Sequence, residues 1–220
     1  MKEVLQFLRE LAANNNKPWF DANKSRYLSV KATVEAFADQ LIAAVAEVEP
    51  DAALLSVKDC TYRIYRDTRF STDKAPYKRH IGIFINPPYG KKSQLSGYYF
   101  HIEPGHCIAC AGNIGLTPQM IRDIRSAIYH DVEEYIAIVE SPEFKACYPH
   151  VGDNLLKTAP KGFPKDWEHI DYLRPREFVA WSESIEEMFL SPDRVELMKP
   201  FIRQAKRYND FVNFTIEDLI

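Results

Sequence analysis

The sequence predicts an α+β fold, an antiparallel sheet of about four to five strands packed against N-terminal and C-terminal helices. Three observations carry this. Apolar residues recur at helical spacing through the first 48 residues, alternation with a period of two takes over between residues 80 and 111, and helical spacing returns after Thr117. The strand segments are joined by short loops, whereas parallel strands need a long crossover, so the sheet should be antiparallel.

Taken in order, Val4, Leu5, Leu8, Leu11 and Ala12 mark an amphipathic helix over residues 2–13. It stops in the turn-rich run Asn14-Asn15-Asn16-Lys17-Pro18, and Trp19 and Phe20 open a short second helix. Asn15 and Trp19 are expected either to anchor these helices or to line a cleft. Val30, Val34, Phe37, Leu41, Val45 and Val48 form one stripe, so residues 30–48 are a helix ended by Glu49-Pro50-Asp51. Tyr62–Asp67 reads as a strand. Residues 80–86 put Ile81, Ile83 and Ile85 on one face, and residues 97–103 put Tyr98, Phe100 and Ile102 against Tyr99, His101 and Glu103. Pro104-Gly105 is a turn, after which 106–111 returns antiparallel. Thr117 caps a helix that begins with Pro118, with Met120, Ile121, Ile124 and Ile128 on its apolar face. Tyr135, Ile136 and Val139 mark another helix, closed by Ser141-Pro142. Four prolines and two glycines make 149–175 a loop, Phe178–Ser182 a further strand, and Ser191-Pro192 the start of a final helical region with a break or kink near Pro200. No composition shift marks a boundary, so 1–220 is expected to be a single domain.

A hydrophobic content of 46% and a charged content of 27% are ordinary for a globular chain of 220 residues. A net charge of −3 argues against a general nucleic-acid coat or a membrane-surface protein. The charged N-terminus lacks the apolar core of a signal peptide, and only four cysteines occur, so a cytoplasmic location is expected.

Residues 63–79 depart from this balance. They hold six basic residues (Arg63, Arg66, Arg69, Lys74, Lys78, Arg79) against two acidic ones, Asp67 and Asp73, a local charge of +4 in an acidic chain. Such a patch suits a phosphate or carboxylate ligand, for which Arg supplies a planar fork and Lys a point charge. The competing reading is internal ion pairing through Asp67 and Asp73. The ligand-binding candidates are Arg63, Arg66, Arg69, Lys74, Tyr77, Lys78 and Tyr99. Tyr65, Tyr77, Tyr98 and Tyr99 are placed to stack on a ring or to sit half-buried.

The segments Asn14-Asn15 to Trp19-Phe20, Arg63 to Lys78, Gly97-Tyr98-Tyr99-Phe100-His101 and Lys161-Gly162-Phe163-Pro164 occur in that order. Together they resemble the domain-of-unknown-function 2461 family, a mainly bacterial group, over nearly the whole chain. The resemblance implies one α+β domain. It also places Arg63, Arg66, Asp67, Arg69, Phe70, Asp73, Lys74, Pro76, Tyr77 and Lys78 at positions of the family motif.

Other constellations are weaker. Cys107-Ile108-Ala109-Cys110 is a lone pair; zinc needs four ligands, so these read as small core side chains. Tyr99, His101 and Glu103 share a strand face that offers an acid, a base and a hydroxyl, or two metal ligands whose third would come from His80 or His106; an open, solvated sheet face is the simpler account. No metal site and no cofactor is assigned. Neither a glycine-rich phosphate loop nor a Gly-x-Ser-x-Gly motif occurs, which argues against a P-loop nucleotidase, a Rossmann dehydrogenase and an α/β-hydrolase.

Three functions follow. One is an anion site centred on Arg66, Arg69, Lys74 and Lys78, taking a phosphorylated small molecule or a short nucleic-acid segment. Another is a hydrolase or transferase acting on a phosphorylated or carboxylated substrate, with Asp67 or His101 as acid or base. The last is a protein-interaction module in which the motif is a salt-bridge network.

Overall fold

A computed structural model of the chain describes residues 1–217. It is an α+β protein with helices before and after a five-stranded antiparallel sheet. Among the described residues, no helix is long and apolar enough to cross a membrane. The chain divides into two compact units. The first takes residues 1–91, 99–108 and 184–199; the second takes 92–98, 109–183 and the chain from Pro200 onward.

The first unit begins with α1 (Lys2–Ala13), whose Val4, Phe7, Leu8 and Leu11 are buried. Its apolar face packs on α3 (Lys24–Ala46), which buries Val30, Val34, Phe37, Leu41 and Val45. This helix begins at Lys24 rather than at Val30. Its polar first turn has no stripe to read, and Arg26 there is held by Glu3 and Glu10 of α1. Between them lies α2 (Lys17–Ala22), capped by Asn16, whose side chain accepts from the Trp19 N–H at 3.0 Å. Short α4 (Val57–Cys60) follows a 3-10 turn at Pro50–Leu54.

Strand β1 (Ile81–Ile85) is buried on both faces, while β2 (Gly97–Ile102) buries Tyr98, Phe100 and Ile102 and leaves Tyr99 and His101 half-buried, as the alternation required. Then come β3 (Ile108–Asn113), β4 (His150–Asp153) and β5 (Glu177–Trp181), in the sheet order β1-β2-β3-β5-β4. Strand β5 pairs with β3 in the register Gly112↔Val179 and with β4 in the register Val151↔Ala180. Strand β4 lies in the segment expected to be loop. At four residues and between prolines, it is too short to show alternation. Helix α8 (Glu186–Leu190) belongs to the first unit, where its Phe189 meets Phe37 edge-on at 5.8 Å.

The expected strand at Tyr62–Asp67 does not form. Residues 61–79 are irregular and carry two isolated antiparallel bridges, Thr61↔Ile83 and Tyr65↔Tyr77. Arg66 N–H bonds to Pro76 O at 2.9 Å and Lys78 N–H to Ile64 O at 2.8 Å, so the motif is a loop closed at its neck. Pro76 has no N–H for a longer ladder.

In the second unit, α5 (Pro118–His130) starts as predicted, with Thr117 Oγ1 accepting from the Met120 N–H. After it come α6 (Val132–Val139) and α7 (Pro142–Cys147). The last helix, α9 (Arg194–Phe214), whose residues up to Lys199 belong to the first unit, continues through Pro200 without a break. Its buried face, with Met198, Phe201, Ile202, Ala205, Tyr208 and Val212, continues past the proline and outweighs one lost backbone bond. In this unit α9 also carries two asparagines that bond backbone, one in β3 and one just before β2. Asn209 Oδ1 accepts from the Gly112 N–H at 2.9 Å. Asn213 bonds both sides of Ser96, accepting from its N–H at 2.7 Å and donating to its carbonyl at 3.1 Å.

Candidate functional site

The basic segment resolves into two groups. In the first, the charges are satisfied within the loop. The Arg66 guanidinium donates to Asp73 at 2.7 Å, to the Ala75 carbonyl at 3.1 Å and to Ser71 at 3.4 Å. Arg69 forks onto Asp67, with Nη2 at 2.6 Å, and Lys74 Nζ donates to the Thr68 carbonyl at 3.0 Å. Arg69 holds the Asp67 carboxyl below the usual carboxylate range, and the Ala75 N–H, at 2.9 Å, and then Arg66 do the same for Asp73. Asp67 is therefore a weak base. Beside Arg69, Phe70 is 95% exposed at the loop tip.

In the second group, Lys78 Nζ lies 5.2 Å from the centre of the Tyr62 ring and Lys91 Nζ lies 6.0 Å from it. Burial, then the neighbouring charge of Arg63, pulls the Lys78 ammonium below its ordinary pKa. Among the described residues, Arg63, Lys78 and Lys91 form no ion pair within 4 Å. Lys91 bonds the Lys58 carbonyl and lies within electrostatic reach of Asp59. It is brought there by Gly90, whose φ of +68° and approach to the Asp59 carbonyl leave no room for a side chain. The sequence reading missed Lys91, which lies outside the charged run.

Tyr77, expected at the ligand, is a core residue instead. It is 3% exposed and stacks on Phe20 with ring centres 4.0 Å apart. Its backbone explains Asn15. In the Tyr65↔Tyr77 bridge the ladder bonds are made by the flanking residues, so the Tyr77 N–H and C=O point away from the partner strand. Asn15 takes both, donating to the carbonyl at 2.9 Å and accepting from the N–H at 3.1 Å. It clasps the loop. Replacing it, as Asn15→Ala, should raise the rate of tryptic cleavage at Arg66, Arg69 and Lys74 by roughly tenfold, because two lost bonds raise the open population. Cleavage at the wild-type rate would show that the clasp does not hold the loop.

The strand face of β2 carries the second constellation. Tyr99 Oη lies 3.0 Å from His101 Nδ1, and His101 Nε2 lies 2.9 Å from Glu103 Oε2. His80, just before β1, stacks on His101 with ring centres 4.4 Å apart, and exposed His106 meets His101 edge-on at 5.7 Å. Burial, then the His101 charge, pushes His80 down to about 4; burial also lowers His101 against the pull of Glu103. Both imidazoles are therefore neutral near pH 7, and the His101–Glu103 contact is a hydrogen bond rather than an ion pair. A carboxylate only accepts, so Nε2 carries the proton and Nδ1 accepts from Tyr99. Gly82 permits this arrangement. A Cβ there would fall 2.7 Å from Tyr99 Oη.

Burial pushes the Cys107 thiol up to about 11 and that of Cys110 up to about 12, which keeps both protonated and unreactive.

Compared with known proteins, residues 3–211 match the model of a family described as conserved hypothetical protein (DUF2461). No curated protein and no solved structure matches the chain.

Proposed function

The chain belongs to the DUF2461 family, and from that premise we propose that it binds a small phosphate-containing ligand. The observation that carries this reading is the pair Lys78 and Lys91 over the half-exposed Tyr62 ring, with the charge of Arg63 acting on Lys78; among the described residues none of the three forms an ion pair within 4 Å, and Asp59 and Asp67 act on Lys91 and Arg63 only at longer range. An anion among them relieves their mutual repulsion and accepts charge-assisted hydrogen bonds, while the tyrosine ring offers a surface for a sugar or base. This moves the centre of the expected site. Arg66, Arg69 and Lys74 shape the loop and Arg63, Lys78 and Lys91 meet the ligand. The acidic remainder of the chain favours a small ligand over a nucleic-acid strand.

Calorimetric titration with inorganic phosphate, a nucleotide, a sugar phosphate and a short oligonucleotide tests this. At least one should bind, and Arg63→Gln or Lys78→Gln should weaken it about tenfold or more, the worth of one charged hydrogen bond. Arg69→Ala should bind like the wild type. Binding lost in Arg69→Ala but kept in Lys78→Gln would return the site to the loop tip, and no binding by any anion would end the proposal.

One observation favours a second reading, a hydrolase or transferase for a phosphorylated or carboxylated substrate. His101 is held at both ring nitrogens by Tyr99 and Glu103 and is thereby oriented as a general base. Turnover of a phosphate ester that disappears in His101→Gln would support it; absence of turnover across such esters would not.

A further inference from the structure

We propose that His80, His101 and Glu103 form a binding site for a divalent transition-metal ion, with zinc the best fit to the donor set. The inference stands on different side chains from the anion site. The three residues come from two segments, 21 positions apart at the nearest, and the pairing of β1 with β2 brings them to one half-buried patch. One ligating atom from each lies within 4.8 Å of the other two. A tetrahedral ion with bonds of about 2.0–2.1 Å needs its ligand atoms about 3.4 Å apart. The group is therefore preassembled to within a small side-chain rotation.

The chemistry of the donors matches. Two imidazole nitrogens and one carboxylate oxygen suit zinc better than magnesium or calcium, which take oxygen alone. Three protein ligands leave a fourth position for water or a substrate oxygen, the arrangement of reactive rather than structural zinc. The partner of the free imidazole nitrogen is already in place. With an ion on Nε2, the His101 proton moves to Nδ1 and donates to Tyr99 Oη, which sits 3.0 Å away. The hydrogen-bond direction between these two groups reverses, and the proton stays on the ring. Tyr99 thus fixes the ring for the ion, as outer hydrogen-bond partners do in metal sites. Gly82 gives the tyrosine its place. His106 lies too far toward solvent to be required.

Cobalt(II) serves as the visible probe. Protein dialysed against chelator is titrated with Co²⁺, read by visible absorption, and then with Zn²⁺. One equivalent of Co²⁺ should bind with the intense bands of a tetrahedral site, and one equivalent of Zn²⁺ should displace it. His101→Gln and Glu103→Gln should each abolish the bands, and Tyr99→Phe should weaken binding by roughly 10- to 100-fold. Imidazole nitrogen shifts should report the His101 proton on Nε2 before zinc and on Nδ1 after it. Near-UV circular dichroism checks the variants; should His101→Gln fail to fold, the near-isosteric Glu103→Gln decides alone. Absence of tetrahedral bands, or bands of wild-type affinity in a folded Glu103→Gln, would overturn the site.

Discussion

Gly112→Ala is expected to destabilise the protein by about 3–5 kcal/mol, the sum of a forced left-handed residue and an unrelievable overlap. Gly112 sits in β3 at φ +100°. A Cβ there falls 2.3 Å from the Phe178 carbonyl oxygen and 2.9 Å from the Val179 Cα, both backbone atoms of the paired strand β5. No side-chain rotation clears them. The overlap is relieved only by parting two hydrogen-bonded strands, and the Gly112 N–H that Asn209 accepts would move with them. Chemical denaturation should show the midpoint falling with the slope unchanged. A loss below about 1 kcal/mol, no more than the ordinary cost of a point substitution, would mean that the strands part easily and that the overlap is relieved.

Arg125→Met should cost nearly as much, about 3 kcal/mol, the loss of two charge-assisted hydrogen bonds and the exposure of two buried carbonyls to an apolar chain. Arg125 lies on α5 and is 9% exposed. Its Nε donates to the Leu173 carbonyl and its Nη2 to the Pro175 carbonyl, both at 2.6 Å. Among the described residues it forms no ion pair within 4 Å. The guanidinium thus serves as a two-pronged donor that binds the segment entering β5 to the helix, and its fixed fork is what a lysine lacks. Arg125→Lys should therefore recover less than half of the loss. In a chain of this size about 3 kcal/mol lowers the melting temperature by roughly 10 °C. A Met variant that melts within about 2 °C of the wild type would refute this role.

The fold was legible where period and burial agree. The alternation in 97–103 placed Tyr98, Phe100 and Ile102 inside, and the stripe from Val30 to Val45 placed α3 on the core. It failed where structure depends on distant partners. Strand β4 exists because β5 pairs with it, and four residues carry no alternation of their own. In the basic loop, a count of charges located the segment but could not show which arginines spend their donors on Asp67 and Asp73. Lys91 joined the patch through a turn far along the chain. His80 met His101 only through strand pairing, although the even spacing of Tyr99, His101 and Glu103 was already visible.

Asn15 and Asn213 each stand in for a missing strand, holding one residue by both its N–H and its C=O. The amide hydrogens of Tyr77 and Ser96 therefore exchange with solvent deuterium whenever a single side chain changes rotamer, without waiting for helix or sheet to open. Their exchange rates clock two local events, the release of the loop neck in one unit and of the segment before β2 in the other. Amides of the β3–β5 ladder, by contrast, record the opening of the sheet itself.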